Sequence, residues 1–331
     1  MPAGCDCTVN DEALPKHVNF CAHCRFVIFF LAIIACGLIC PVSVFAQSTA
    51  DRSDDWILYE RGNAMFAQGE YGRALQLYKE AVSAAGIFPE AEIGIGDVFF
   101  EEGELQLARE QYEKAYGERN AFRIADAQYE VLYKLADLYQ NENMYNRMED
   151  ALSRIVADDK KYSDAESARL KAQIEKNYTT KGIDHTLFLY QFDVPFAQVA
   201  HSRLGLFYYR SGRYEQAIVD LLYSVIYNTS EINSALHSRD VDYQFTTLSG
   251  MLTAVQGKKD LAQYVADSSL FRDLYYLAGA SYAAGYPAHA TQIWKLVASS
   301  TISGSYAALS ARQLKAPWIE KVLGPGRGGN Y

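Results

Sequence analysis

"YERGNAMFAQGEYGRALQLYKEAV", residues 59–82, and "IGIGDVFFEEGELQLAREQYEKAY", residues 93–116, superpose with a shift of 34 residues. Gly62 falls on Gly96, Phe66 on Phe100, Gly69 on Gly103, Ala74 on Ala108, Tyr78 on Tyr112 and Ala81 on Ala115. Glycine inside a helix costs about 1 kcal/mol against alanine, so Gly62 and Gly96 need a packing reason. A partner helix approaching closely at Ala74 and Ala108 would supply it. Gly69 and Gly103 sit where the first helix must end, the place for a left-handed cap. Apolar residues recur three and four apart on either side of these glycines, the pattern of an amphipathic helix. Each stretch therefore reads as a helix hairpin, and the fold class as all-α.

A 34-residue hairpin with small residues at the helix crossing, glycine at the turn and aromatics on the buried stripe resembles the tetratricopeptide repeat (TPR). The repeats run from Asp55 to Phe88 and from Pro89 to Phe122. A third, Tyr129 to Tyr162, keeps Ala136, Tyr139 and Tyr145 but has Asn143 at the turn and Met148 in place of a small residue. Asparagine tolerates the left-handed conformation, and methionine implies a wider helix crossing. The fourth, Gln198 to Glu231, carries Gly205, Tyr208, Gly212, Tyr214 and Ala217. A weaker fifth starts near Tyr243 with Gly250, Gly257 and Ala262, and a sixth near Phe271 with Ala278, Gly285, Ala290 and Trp294. Trp56 stands two positions early for the family pattern, and the proline usual near the repeat end is missing. The reading is a TPR-like helix-hairpin solenoid of five to six hairpins with one insert.

Repeats one to three occupy residues 51–162, the insert 163–197, and repeats four to six with a capping helix 198–314. In the insert, Ser163 and Glu166 form a capping box opening a helix to about Tyr178. The following "TTKGIDHTLFLYQFDVPF", residues 179–196, offers no second helix. The insert is expected to divide the array into two halves. A last helix, Ser303 to Leu314, caps the final hairpin, as solenoids require, and residues 315–331 read as a flexible tail.

Upstream, "CAHCRFVIFFLAIIACGLICPVSVFAQS", residues 21–48, follows Cys5 and Cys7; together these segments hold all six cysteines. Cysteine and His17 or His23 are suitable zinc or redox ligands. Against that, Arg25, an uncharged run and "VFA" before Gln47 have the layout of a secretory signal, with cleavage between Ala46 and Gln47. Two alternatives are a retained anchor over residues 26–46, long enough to span a bilayer, and lipid attachment at Cys36. Each exports the remainder to a periplasm or cell envelope, where a chain free of cysteine avoids stray disulfides.

The formal net charge is −9, which argues against nucleic acid as a partner. His185, His201, His237 and His289 are scattered, with no His-Glu-x-x-His pairing and no Gly-x-Ser-x-Gly or Ser-x-x-Lys arrangement. No cofactor and no enzyme activity are expected. Asn177 and Asn228 match glycosylation sequons by pattern. The resemblance implies a binding surface on the concave face, lined by Trp56, Tyr59, Asn63, Phe66 and Ala67 from the first repeat. The second contributes Glu90, Ile93, Asp97, Phe100 and Glu101, the third Glu130, Tyr133, Asp137, Gln140 and Asn141, and the fourth Tyr209 and Arg210. Asn63, Asp97 and Asp137 would stand in file, offering hydrogen bonds to a partner's main chain. Family members that clasp carboxylate termini use Lys and Arg here, and this chain has Tyr59, Ile93 and Asp97. A basic or neutral protein or peptide segment is the expected partner, with a small hydrophobic ligand as the alternative.

Overall fold

The computed structural model describes residues 54–158, 164–192 and 196–320. Every regular element among them is helical. In chain order these are α1 (Asp54–Ala67), α2 (Tyr71–Ala85), α3 (Pro89–Glu101), α4 (Leu105–Gly117), α5 (Ala127–Asn141), α6 (Tyr145–Ala157), α7 (Asp164–Lys181) and α8 (Ile183–Leu189). They continue as α9 (Gln198–Arg210), α10 (Tyr214–Arg239), α11 (Leu248–Gln256), α12 (Lys259–Asp267), α13 (Leu270–Ala283), α14 (Pro287–Ser299) and α15 (Ser305–Lys315).

Five hairpins share one turn. After α1, α3, α5, α9 and α13 the chain enters the left-handed region at Gly69, Gly103, Asn143, Gly212 and Gly285, with φ of 76°, 81°, 60°, 75° and 89°. The next amide then reaches back five residues, as in Glu70 to Met65, Glu104 to Phe99, Met144 to Tyr139, Arg213 to Tyr208 and Tyr286 to Ser281. This is the Schellman closure, which satisfies the last carbonyls of the first helix.

Gly62 and Gly96 are closely packed by the second helix of their hairpins, as their place inside a helix requires. A Cβ on Gly62 would lie 2.6 Å from the Tyr78 ring, and one on Gly96 would lie 2.4 Å from the Tyr112 ring. The nearest atoms are those of the tyrosine rings, one turn beyond the fully buried Ala74 and Ala108. A Cβ on Gly94 of α3 would lie 2.6 Å from the same Tyr78 ring, so that ring is gripped between α1 and α3.

The second helix of each hairpin packs on the first helix of the next: α2 on α3, α4 on α5, α6 on α9, α10 on α13 and α14 on α15. Two expectations are corrected by this order. The segment around residues 163–197 does not divide the array, because α6 meets α9 directly and Arg213, in the turn after α9, binds Glu149 of α6 at 2.7 and 3.0 Å. The described residues between 54 and 320 form one compact unit. The fifth repeat is not a member of the array either, since α10 continues for 26 residues and packs on α13. Gly257 has φ −70°, with no left-handed turn, and Gly250 lies in the first turn of α11, its amide bound to the Thr247 cap at 3.1 Å.

The pairs α7–α8 and α11–α12 instead pack beside the array, α7 against α10 and α8 against α11. The helix missed in residues 179–196 is α8, a single short stretch after Gly182 (φ 82°). Tyr178 is fully buried and its hydroxyl shares a hydrogen bond with Ser281 of α13 at 2.6 Å. Asp184 accepts from the Leu248 amide at 2.8 Å and from Gln292 at 3.2 Å. The insert is therefore a docked hairpin tying α11, α13 and α14 together. The proposed Ser163 cap lies outside the described residues, as do Cys36, Ala46, Gln47 and the whole of residues 1–53.

Candidate functional site

The first helices α1, α3, α5, α9 and α13 present one face, and two open depressions lie along it, sharing Asp137. One, of about 290 Å³, is lined by Phe66, Asp97, Phe100, Glu101, Tyr112, Lys134 and Asp137. The other, of about 240 Å³, extends from Asp137 and Gln140 through Val199, Arg203 and Phe207 to Arg272. Five residues of the sequence-derived set, Phe66, Asp97, Phe100, Glu101 and Asp137, thus come together in the first depression.

A charge ladder runs through the pair. The Asp97 carboxylate accepts from the Tyr112 hydroxyl at 2.6 Å and from Lys134 of α5 at 2.7 Å. Asp137 pairs with Arg203 of α9 at 2.8 Å, and Arg203 also reaches Gln140 at 3.4 Å. Burial works against the Lys134 ammonium, but the Asp97 and Glu130 carboxylates outweigh it and hold its pKa above the ordinary lysine value. Burial, then Asp97, pushes the Tyr112 phenol up, so it remains a hydrogen-bond donor. Each acid is thus joined to a base on the next first helix. Lys134 and Arg203 both stand at the sixth position of their repeats, outside the five positions per helix that the resemblance selects; the available signal was an acid followed one repeat later by a base set back by about one turn.

The remaining predicted residues are spread between surface and core. Asn63 is exposed and accepts from the Tyr78 hydroxyl at 2.8 Å, so it repeats the Asp97–Tyr112 arrangement. Trp56 and Tyr59 form an aromatic group with Phe88, with ring centroids 5.7 and 5.4 Å from it. Phe66 stands against Tyr71 at 5.4 Å, whereas Phe100 is 41% exposed and Glu101 is exposed. Ile93 and Tyr209 are buried, at 6% and 1%, and offer a partner little surface. The Tyr133 hydroxyl donates to the Phe196 carbonyl at 2.5 Å and accepts from the Ala200 amide at 3.1 Å, joining α5 to the start of α9. Burial pushes that phenol up to about 12, with the Ala200 amide and Arg203 acting the other way. Arg210 lies over the Tyr276 ring at 5.9 Å.

Other features resolve as packing. His201 is buried, bonded to Asp220 at 2.8 Å and stacked on Tyr223. Asn228 is buried and donates to the Ser224 carbonyl at 2.9 Å, so its sequon is inaccessible in the folded chain. Among the described residues no group of three or more His, Cys, Asp or Glu side chains is placed to hold a metal, and no helix is long and apolar enough to cross a membrane.

No protein-family model matches the chain. It is similar to an uncharacterized protein of Treponema pallidum (strain Nichols), 23% identical over 249 residues, which covers 75% of this chain and 66% of that protein. It is also similar to an uncharacterized protein of Borreliella burgdorferi, 24% identical over 321 residues, covering 87% of this chain and 96% of that one.

Proposed function

We propose that the chain is an exported TPR-like binding protein of the cell envelope that works by recognition rather than catalysis, holding a protein or peptide segment along the face of α1, α3, α5 and α9. The observation that carries this reading is the first depression. There Phe66 and the exposed Phe100 stand beside a row of carboxylates, Asp97, Glu101 and Asp137, of which Asp97 and Asp137 are already oriented by Lys134 and Arg203. Preorganised acceptors next to an apolar anchor lower the ordering cost of binding. Aromatic anchors are also where binding energy concentrates. A neutral or basic segment fits, its apolar side chain against Phe100 and its amides or a lysine on the free oxygens of Glu101 and Asp137.

A displayed library of random peptides selected against the chain is the direct test. Enriched sequences should pair a basic residue with an apolar one, and the double change Phe100→Ala, Glu101→Gln should weaken their binding about tenfold or more, roughly 1.4 kcal/mol. Both side chains are exposed, so this variant keeps the fold, unlike Asp97→Ala, which would also strip the Tyr112 hydroxyl of its acceptor and leave Lys134 with Glu130 alone. Selected peptides that bind the double variant unchanged would remove the groove from consideration.

A further inference from the structure

Beyond Arg272 the same face meets the chain's own carboxyl-terminal segment. After α15 ends at Lys315, Ala316 turns extended (φ −151°, ψ 90°), and residues 316–320 run without helical structure across α13 to α9. Gln313, almost fully buried, brackets Trp318: its side-chain oxygen accepts the Trp318 amide at 2.9 Å, and its side-chain nitrogen donates to the Trp318 carbonyl at 3.1 Å. The Glu320 amide donates to the Tyr209 hydroxyl at 3.2 Å. The Tyr275 and Tyr276 hydroxyls donate to the two Glu320 carboxylate oxygens at 3.0 and 3.2 Å. Tyr209 and Tyr275 are 1% and 2% exposed, and both hydroxyls bond to Glu320 of this segment. Trp318 and Ile319 remain 37% and 38% exposed, so the segment is held by its main chain and one carboxylate more than by apolar burial.

We propose that Tyr209, Tyr275, Tyr276 and Gln313 form a recognition site for an extended peptide segment bearing a glutamate, occupied in cis by residues 316–320. Neutral phenols suit this task. They grip a carboxylate by charge-assisted hydrogen bonds without carrying charge that must be desolvated when the site is empty. A short tether gives the cis segment an effective concentration in the millimolar range, so a partner's acidic segment enters only by out-competing it. The tail is then a built-in competitor, and the flexible tail expected from the sequence is docked at least as far as Glu320. The partner in trans rests on reading this face as a binding surface; the docking in cis does not.

The test uses the full chain and a fluorescent, end-capped peptide of residues 316–320, Ala-Pro-Trp-Ile-Glu. Hydrogen exchange comes first: in the unmodified chain the Trp318 and Glu320 amides should be protected, and Glu320→Gln should speed exchange of the backbone amide at position 320. Exchange at free-peptide rates in the unmodified chain overturns the docking. In anisotropy titrations the Glu320→Ala chain should bind the peptide about tenfold more tightly than the unmodified chain. Tyr276→Phe added to Glu320→Ala should remove most of that gain, as should a peptide with glutamine for glutamate. Equal affinity for both chains, no binding to either, or indifference to the glutamate overturns the recognition site. None of these readings involves Phe100 or Glu101, so the two binding proposals fail separately.

Discussion

The first two hairpins and the two array hairpins at the carboxyl end are built on the same turn, yet they treat the groove differently. Sixteen residues after the small residue of the first helix stand Tyr78 and Tyr112 in the early hairpins, but Leu221 and Trp294 in the later ones. Tyr78 and Tyr112 fill the notch over Gly62 and Gly96, then pass through it to hydrogen-bond Asn63 and Asp97 on the groove. Leu221 fills the notch over Gly205 and stops there, while the buried Trp294 indole nitrogen finds no acceptor. At the amino end one side chain thus sets both the helix spacing and the orientation of a groove acceptor. At the carboxyl end packing and the display of polar groups are separate, and the polar groups on the face, Tyr275 and Tyr276, belong to the first helix itself.

Truncating the tyrosine breaks this comparison most severely. Tyr112→Ala should cost about 3–5 kcal/mol, the range for deleting a buried aromatic ring. Tyr112→Phe separates the two roles: it keeps the ring and removes a hydrogen bond to a charged acceptor, for about 1.5–3 kcal/mol. Chemical denaturation of both variants measures the split. A Tyr112→Phe chain as stable as the parent would mean that the phenol contributes nothing beyond its ring, and the two ends would differ in shape alone.

The notch itself comes next. Gly96→Ala places a methyl 2.4 Å from a Tyr112 ring carbon. Overpacking costs about 1–3 kcal/mol, less about 1 kcal/mol regained in helix propensity. The net loss should shrink when Tyr112 is replaced by alanine, which takes the ring out of the notch, so the double mutant should be more stable than the sum of its parts. Strict additivity would show that the ring does not set the helix spacing.

Much of this was legible in the sequence. Glycine or asparagine at a helix end and apolar residues three and four apart are local signals, and they placed the left-handed turns of the five array hairpins. The glycine interval of seven also produced one false repeat, because Gly250 and Gly257 reproduce the spacing without the conformation. What decides there is Thr247, an N-cap that starts α11 only just before Gly250, and the absence of any breaker through the 26 residues of α10. The groove was half legible. Acids on the first helices stood out by their position, but their partners Lys134 and Arg203 lie on other hairpins, and the tail's contacts with Tyr209, Tyr275 and Tyr276 are long-range. No periodicity encodes contacts of that kind.

The smallest expected effect tests that false repeat. Gly103 and Gly257 occupy the same station in the aligned sequences, with φ of 81° and −70°. Alanine at Gly103 must hold a left-handed conformation, at a cost of about 1 kcal/mol or more. A Cβ at Gly257 enters allowed space, its nearest neighbour the Ala254 carbonyl at 3.6 Å. By restricting the unfolded chain, Gly257→Ala should raise stability by about 0.4–1 kcal/mol. The two substitutions are chemically identical, so a difference in sign between their denaturation midpoints isolates backbone conformation from every other variable. Destabilisation of similar size at both positions would mean that α11 and α12 turn as the array hairpins do, and the distinction between the stacked array and its flanking pairs would fall.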